Sequence, residues 1–202
     1  MNKYALSWII RIVIAGLFIL SAVAKLYPSP YFAISTFEVK QLYPLGFSEN
    51  VAPFFSRFLI GIELALGILF LLPVKIRKVI TPASILLLAA FTIHLAYETF
   101  KTGGNSGSCG CFGELIPMTP IEAMIKNIVA IGLLIWLLML KIPDTIKSRL
   151  WFTSTITLAS ILGLFMLAPI RPVETILENP TTEQVNAIIP IEIDSAFTNS
   201  EP

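Results

Sequence analysis

The chain has 202 residues, 55% of them hydrophobic and 13% charged, with a mean hydropathy of +0.81. An average soluble domain carries about 25% charged residues, so a water-soluble monomer is excluded. A formal net charge of +1 leaves no excess for nucleic acid or an acidic ligand, and the partner that bulk composition implies is the lipid bilayer.

A helix needs about 20 predominantly apolar residues to cross the hydrocarbon core. Segments 5–24, 53–72, 79–98, 120–140 and 150–168 have that length, which predicts an all-α membrane protein with five crossings. In the first segment Ala22-Val23-Ala24 matches the small-x-small pattern read by signal peptidase. The run is nevertheless longer than a signal core and holds Arg11 inside it, so it is read as a retained helix.

The connection from Tyr27 to Val51 is more than a linker. Pro28, Pro30, Pro44 and Pro53 restrict any helix there to about 31–43. Phe32, Phe37, Leu42, Tyr43 and Phe47 suit it to the membrane interface, as a cover for one end of the bundle or as a lid over a site.

Lys and Arg in the short connections give the orientation. Lys3, then Lys75, Arg77 and Lys78, then Lys141, Lys147 and Arg149 share one side with Asp144, and that side is read as cytoplasmic. The opposite connections carry Glu38, Glu49 and Glu114, the tail adds Glu174, Glu178, Glu183, Glu192, Asp194 and Glu201, and this side is read as extracytoplasmic. The expected location is the inner membrane of a bacterium, multi-pass, with the N-terminus inside.

The chain's two cysteines stand together in the outward loop, in Cys109-Gly110-Cys111-Phe112-Gly113. A Cys-x-Cys ring is small and strained, so its disulfide is easier to reduce than a structural bridge, and Gly110 eases the backbone demand. Three readings stay open at this point. The pair is a redox-active dithiol exchanging with another protein, a static local disulfide, or half of a tetrahedral metal site whose remaining ligands are missing. Just after the loop, Thr119-Pro120-Ile121-Glu122 is the pattern of a capping box with proline at the first helical position. The fourth helix would then begin there, its N-terminal dipole available to a thiolate folded back towards it.

Ionisable groups inside apolar spans are expensive and call for partners. Arg11, Glu63 and His94 lie within spans, and helix rise puts Arg11 and Glu63 at similar depths, so an Arg11–Glu63 ion pair is expected, with Lys25 or Arg57 as other partners for Glu63. His94 reads as a packing residue near the outer end of the third helix. Lys126 is free to snorkel outward, and Asn127 to hydrogen-bond across helices.

Together these residues resemble the DoxX-like superfamily of small membrane proteins, and within it the MauE type. The match runs through Arg11, Gly16 and Lys25 on the first helix, Glu63 and Gly67 on the second, Cys109-Gly110-Cys111-Phe112-Gly113, and Lys126-Asn127, over about 5–140. That family is associated with redox chemistry and with assisting disulfide formation or maturation of exported proteins. The resemblance implies that Cys109 and Cys111 are the catalytic redox pair, and that Arg11, Lys25, Glu63 and Asn127 are polar positions inside the bundle.

It also implies a thioredoxin-like or maturing extracytoplasmic protein as partner and, by analogy alone, a membrane quinone as electron carrier. The expected domains are a four-helix DoxX/MauE-like bundle over 1–140, an appended fifth transmembrane helix over 141–168, and a largely disordered extracytoplasmic tail over 169–202. A non-catalytic assembly factor and a small-solute transporter with Arg11 and Glu63 along its pathway are the alternatives from other functional classes.

Overall fold

The computed structural model describes residues 3–27, 29–30, 34, 37–43, 45–72, 76–102, 115, 118–140 and 150–170. The chain divides after Pro169, and every helix below belongs to the unit that ends there. The expected tail from 169 lies outside the described residues apart from Pro169 and Ile170.

The described residues form an all-α protein. Its helices are α1 (Lys3–Ala24), α2 (Ala52–Leu71), α3 (Thr81–Thr102), α4 (Pro120–Met139) and α5 (Leu150–Leu167). Single π turns stand at Glu38–Leu42 and Ile76–Ile80. The first four helices are long and apolar enough to cross a membrane. The fifth apolar helix, Trp151–Leu167, is shorter, at a rise of about 1.5 Å per residue.

Each helix buries the face its sequence period dictates. In α1 the buried residues Ser7, Ile10, Arg11, Ile14, Phe18 and Ser21 share one face, one stripe of a 3.6-residue helix. In α4, Ala123, Asn127, Ala130, Leu134 and Leu137 do the same, leaving the other face to lipid. The central helix is α2, with 61% of its apolar stretch buried against 39% in α1 and 28% in α3 and α4.

Small residues let α2 approach its neighbours closely. A Cβ on Gly67 would lie 2.7 Å from Ile19 Cγ1 and 3.3 Å from the Ala15 carbonyl of α1, and one on Gly61 would lie 2.8 Å from Ile161 Cα of α5. In lipid, where the hydrophobic effect gives helices no reason to associate, such close backbone packing is a main source of cohesion. Phe18 and Phe70 stack between α1 and α2 with ring centroids 6.3 Å apart.

The helix ends separate into two groups. Ile10, Phe70, Ile80 and Leu137 share one cluster, whereas Ala22, Ile60, Leu164 and Ala168 share another and Leu95 meets Ala123. The ends of α1, α3 and α5 therefore lie with the starts of α2 and α4. This grouping agrees with the alternation of basic and acidic connections along the sequence.

Over that end lies part of the 25–51 connection. Phe37 and Leu42 are buried against Ala52, Phe47 and Phe55 meet at 4.6 Å, and Gly46 turns the chain at φ 88°, a conformation that favours glycine. The π turn is tied down by charge. Glu38 accepts hydrogen bonds from Ser56 Oγ at 2.6 Å and from Arg57 Nη1 at 3.2 Å, and Arg57 Nε donates to the Ala168 carbonyl at 2.6 Å. Burial pushes the Glu38 carboxyl above its ordinary range, and Ser56 and Arg57 pull it part of the way back. Arg57 thereby joins the covering segment, α2 and the carbonyl end of α5, where a cation also suits the helix dipole.

The glycine contacts make a paired prediction. Gly67→Leu should destabilise the detergent-solubilised protein by about 1–3 kcal/mol through overpacking, whereas Gly132, with nothing within 4 Å of its would-be Cβ, should accept leucine without loss. Thermal unfolding midpoints of the two variants check this, and equal loss in both would remove the close α1–α2 approach from the explanation.

Candidate functional site

Near the covered end, Ser21 and Lys25 stand one turn apart on α1 and just beyond it, opposite Glu63 of α2. Lys25 Nζ donates to Glu63 Oε1 at 2.9 Å, to Glu63 Oε2 at 2.7 Å and to Ser21 Oγ at 2.8 Å. Those contacts use the three N–H bonds of the ammonium. Ser21 Oγ in turn lies 3.3 Å from Glu63 Oε2 as donor. Lys25 is 2% exposed and Glu63 3%, and the rings of Phe37 and Phe91 each lie 5.5 Å from Nζ. Aromatic faces and a carboxylate thus replace the water that the ammonium has given up.

A cavity of ≈ 30 Å³ opens beside this pair, room for about two waters. Its polar lining is Ser21, Lys25, Glu63, Lys126 and Asn127, and its apolar walls include Ile14, Phe18, Leu88 and Phe91. Four helices contribute. Asn127 is 3% exposed. Its amide is buried on the face that α4 turns to the bundle, about two turns below the helix start.

That start is built as its sequence indicates. Glu122 N–H donates to Thr119 Oγ1 at 3.4 Å, and Thr119 N–H donates to Glu122 Oε2 at 2.9 Å, with Pro120 at the first helical position. Lys126 and Asn127 are therefore held by a helix with a defined beginning.

The structure brings together Lys25, Glu63 and Asn127 of the residues singled out from sequence. Arg11 is elsewhere. Its Nε donates to the Phe70 carbonyl at 2.9 Å, another guanidinium N–H donates to the Leu72 carbonyl, and the guanidinium lies 4.4 Å from the Trp8 ring. The expected Arg11–Glu63 pair is thus replaced by Lys25–Glu63. The two are not level in the structure: Ser21 lies opposite Glu63, and Arg11, about 15 Å back along α1, meets the carbonyls left without intrahelical partners at the end of α2. His94 lies on α3 with its ring nitrogens buried and is not among the residues lining the cavity. Cys109 and Cys111 lie outside the described residues.

Sequence reading overlooked Ser21 and the two aromatic rings around Lys25. The spacing Ser21-x-x-x-Lys25 was a usable signal, since residues four apart share a helix face. The Glu38–Ser56–Arg57 cluster had none, because its members meet only when the covering segment folds onto α2.

Comparison with known proteins adds two findings. The family model for methylamine utilisation protein MauE matches residues 3–140. The chain is 58% identical over 202 residues to a protein of Flavobacterium psychrophilum named Protein TlpB, covering 96% of this chain and 54% of that protein, so it spans about half the length of the curated relative it matches. No solved structure matches.

A buried ion pair is costly to break and nearly neutral to replace as a whole. Glu63→Leu or Lys25→Met alone should each destabilise the protein by about 3–5 kcal/mol, and the double variant should recover most of the loss. A thermal-unfolding double-mutant cycle measures the coupling. Additive losses would show that the two charges are not each other's partners.

Proposed function

The chain belongs to the methylamine utilisation protein MauE family, and from that premise we propose that it is a membrane thiol–disulfide redox protein that assists disulfide formation or maturation of exported proteins. The observation that carries this reading is the Cys109-Gly110-Cys111 pair, which falls inside the 3–140 match and a few residues before the capped start of α4. The charge distribution of the connections supports an extracytoplasmic position for the pair, where thiols are kept oxidising.

The exchange is balanced within the two proteins. A thiolate on one partner attacks the disulfide of the other, forming a mixed disulfide and releasing one thiolate. The second thiolate of the attacking pair then attacks its neighbour's sulfur in that bond and displaces the other protein's thiolate, so that one protein leaves as a dithiol and the other as a disulfide. Two electrons pass between the proteins, and the protons lost from the attacking thiols return to the thiolates released. The same steps run in either direction. A helix N-terminus such as that of α4 would favour the thiolate form of a cysteine folded back towards it.

Within this reading the 1–140 bundle is the redox module, the helix within 141–168 extends its packing surface, and the tail from 169 to 202 is available to a thioredoxin-like or maturing partner. Among the described residues, the cavity beside Lys25 and Glu63 carries no residue pattern specific to a quinone, and no step is routed through one.

Differential alkylation of Cys109 and Cys111 in intact cells tests the proposal. A pair that shifts to dithiol under brief, mild reductant and returns to disulfide on reoxidation is expected. A pair that stays reduced throughout, or stays oxidised under mild reductant, would overturn thiol exchange and favour a non-catalytic assembly factor.

A further inference from the structure

Two buried ion pairs among the described residues are built differently. Glu63 presents both carboxylate oxygens to the Lys25 ammonium, at 2.9 and 2.7 Å. Glu38, 6% exposed, takes its two bonds on one oxygen, from Ser56 Oγ at 2.6 Å and from Arg57 Nη1 at 3.2 Å. That Nη1 also donates to the Pro53 carbonyl at 2.8 Å, while Nε donates to the Ala168 carbonyl. A carboxylate without bidentate pairing recovers less of its lost hydration, and burial accordingly holds the Glu38 carboxyl above its ordinary range. A group that binds its proton better when buried than in water favours the buried arrangement while protonated and the solvated one once ionised.

Glu38 stands on the covering segment, so its solvated arrangement is a lifted segment. Phe37 beside it is fully buried, its ring 5.5 Å from Lys25 Nζ, and Lys25 lines the polar cavity. The segment rejoins α2 through the turn at Gly46, whose φ of 88° is open to glycine and suits a hinge. We propose that residues 37–43 form a lid over the Lys25–Glu63 cavity, closed while Glu38 is protonated and released when Glu38 ionises, with Gly46 as its hinge. Opening lifts Phe37 from Lys25 and admits water and small polar solutes to the cavity. Arg57 keeps the Pro53 and Ala168 carbonyls when Glu38 leaves, and the device does not depend on the thiol chemistry.

The other titratable groups around the lid are Tyr43 within it, Glu49 beyond the hinge, Lys25 just after α1, and His94 on α3, one turn from the Phe91 that packs against Phe37 and Leu42. Tyr43 is held above its ordinary range, chiefly by burial and then by Glu38 and Glu49, so it keeps its proton at neutral pH. Lys25 is paired with Glu63. Histidine ordinarily changes charge near neutral pH, and substituting Glu38 alone separates the two groups.

The test reads thiol access in detergent-solubilised protein carrying Cys109→Ser and Cys111→Ser. Leu42→Cys puts a single thiol on the buried side of the lid, and Val51→Cys, in a separate chain, gives an exposed reference at the start of α2. The rate of modification by a charged methanethiosulfonate at position 42 is divided by the rate at position 51 at each pH, which removes the reagent's own dependence on thiolate. Between about pH 5 and about pH 8 the ratio should rise severalfold, and Glu38→Gln should keep it low throughout. A ratio independent of pH overturns the lid, and so does a rise that survives Glu38→Gln, the outcome if His94 were the trigger. If the Leu42 variant fails to fold, hydrogen exchange of the unaltered chain and of Glu38→Gln at one neutral pH decides. The Tyr43 and Phe47 amides, which donate to the Glu38 and Leu42 carbonyls, should exchange faster in the unaltered chain, and equal exchange overturns the proposal.

Discussion

The structure depends on a charge pair placed where charges are expensive. In a medium that cannot solvate ions, Lys25 and Glu63 are tolerable only together, and at 2.7 Å they fix the register of α1 against α2. Ser21 and the rings of Phe37 and Phe91 complete the shell around the ammonium. The glycine contacts of α2 work in the same direction, since Gly67 allows α1 to come close enough for a lysine to reach a carboxylate across the interface. Packing and polar chemistry are one constraint here: a bulkier residue between the helices would part the charges as well as the backbones.

Two further devices hold the end of the bundle around this pair. Arg57 bonds Glu38 of the covering segment and the Ala168 carbonyl just after α5, which keeps Phe37 over Lys25. The capping box at Thr119 and Glu122 sets where α4 begins and hence where Lys126 and Asn127 fall. At the opposite end Arg11 completes the carbonyl terminus of α2. The buried arginines thus finish helix ends, and the lysine on α1 holds the carboxylate.

Much of the fold was legible because lipid imposes simple rules on a sequence. Apolar length marks the helices, the alternation of basic and acidic connections sorts their ends, and Thr119-Pro120-Ile121-Glu122 announces a helix start. The candidate site was legible in part. Lys25, Glu63 and Asn127 stood out as polar groups within or beside apolar spans, but their partners did not. Depth reckoned from the ends of two spans says nothing of the offset between the helices, and that offset, with Gly67 against Ala15 and Ile19, sets Glu63 opposite Ser21 and Lys25 and leaves Arg11 at the end of α2. The Glu38–Arg57 contact was hidden because it joins an irregular segment to a helix with no local pattern to report it. Family membership and the Cys-Gly-Cys motif point the chemistry towards thiols, while the polar cavity came from the three-dimensional arrangement of four helices.

Thiol exchange is tested most directly by trapping its intermediate. Cys109→Ser and Cys111→Ser would each be expressed in cells, and membranes examined by mass spectrometry for covalent adducts that reductant releases. Exchange predicts that at least one single variant accumulates a mixed disulfide with an extracytoplasmic protein, and that the doubly substituted chain accumulates none. Absence of any such adduct from both single variants, at normal expression and membrane insertion, would contradict it.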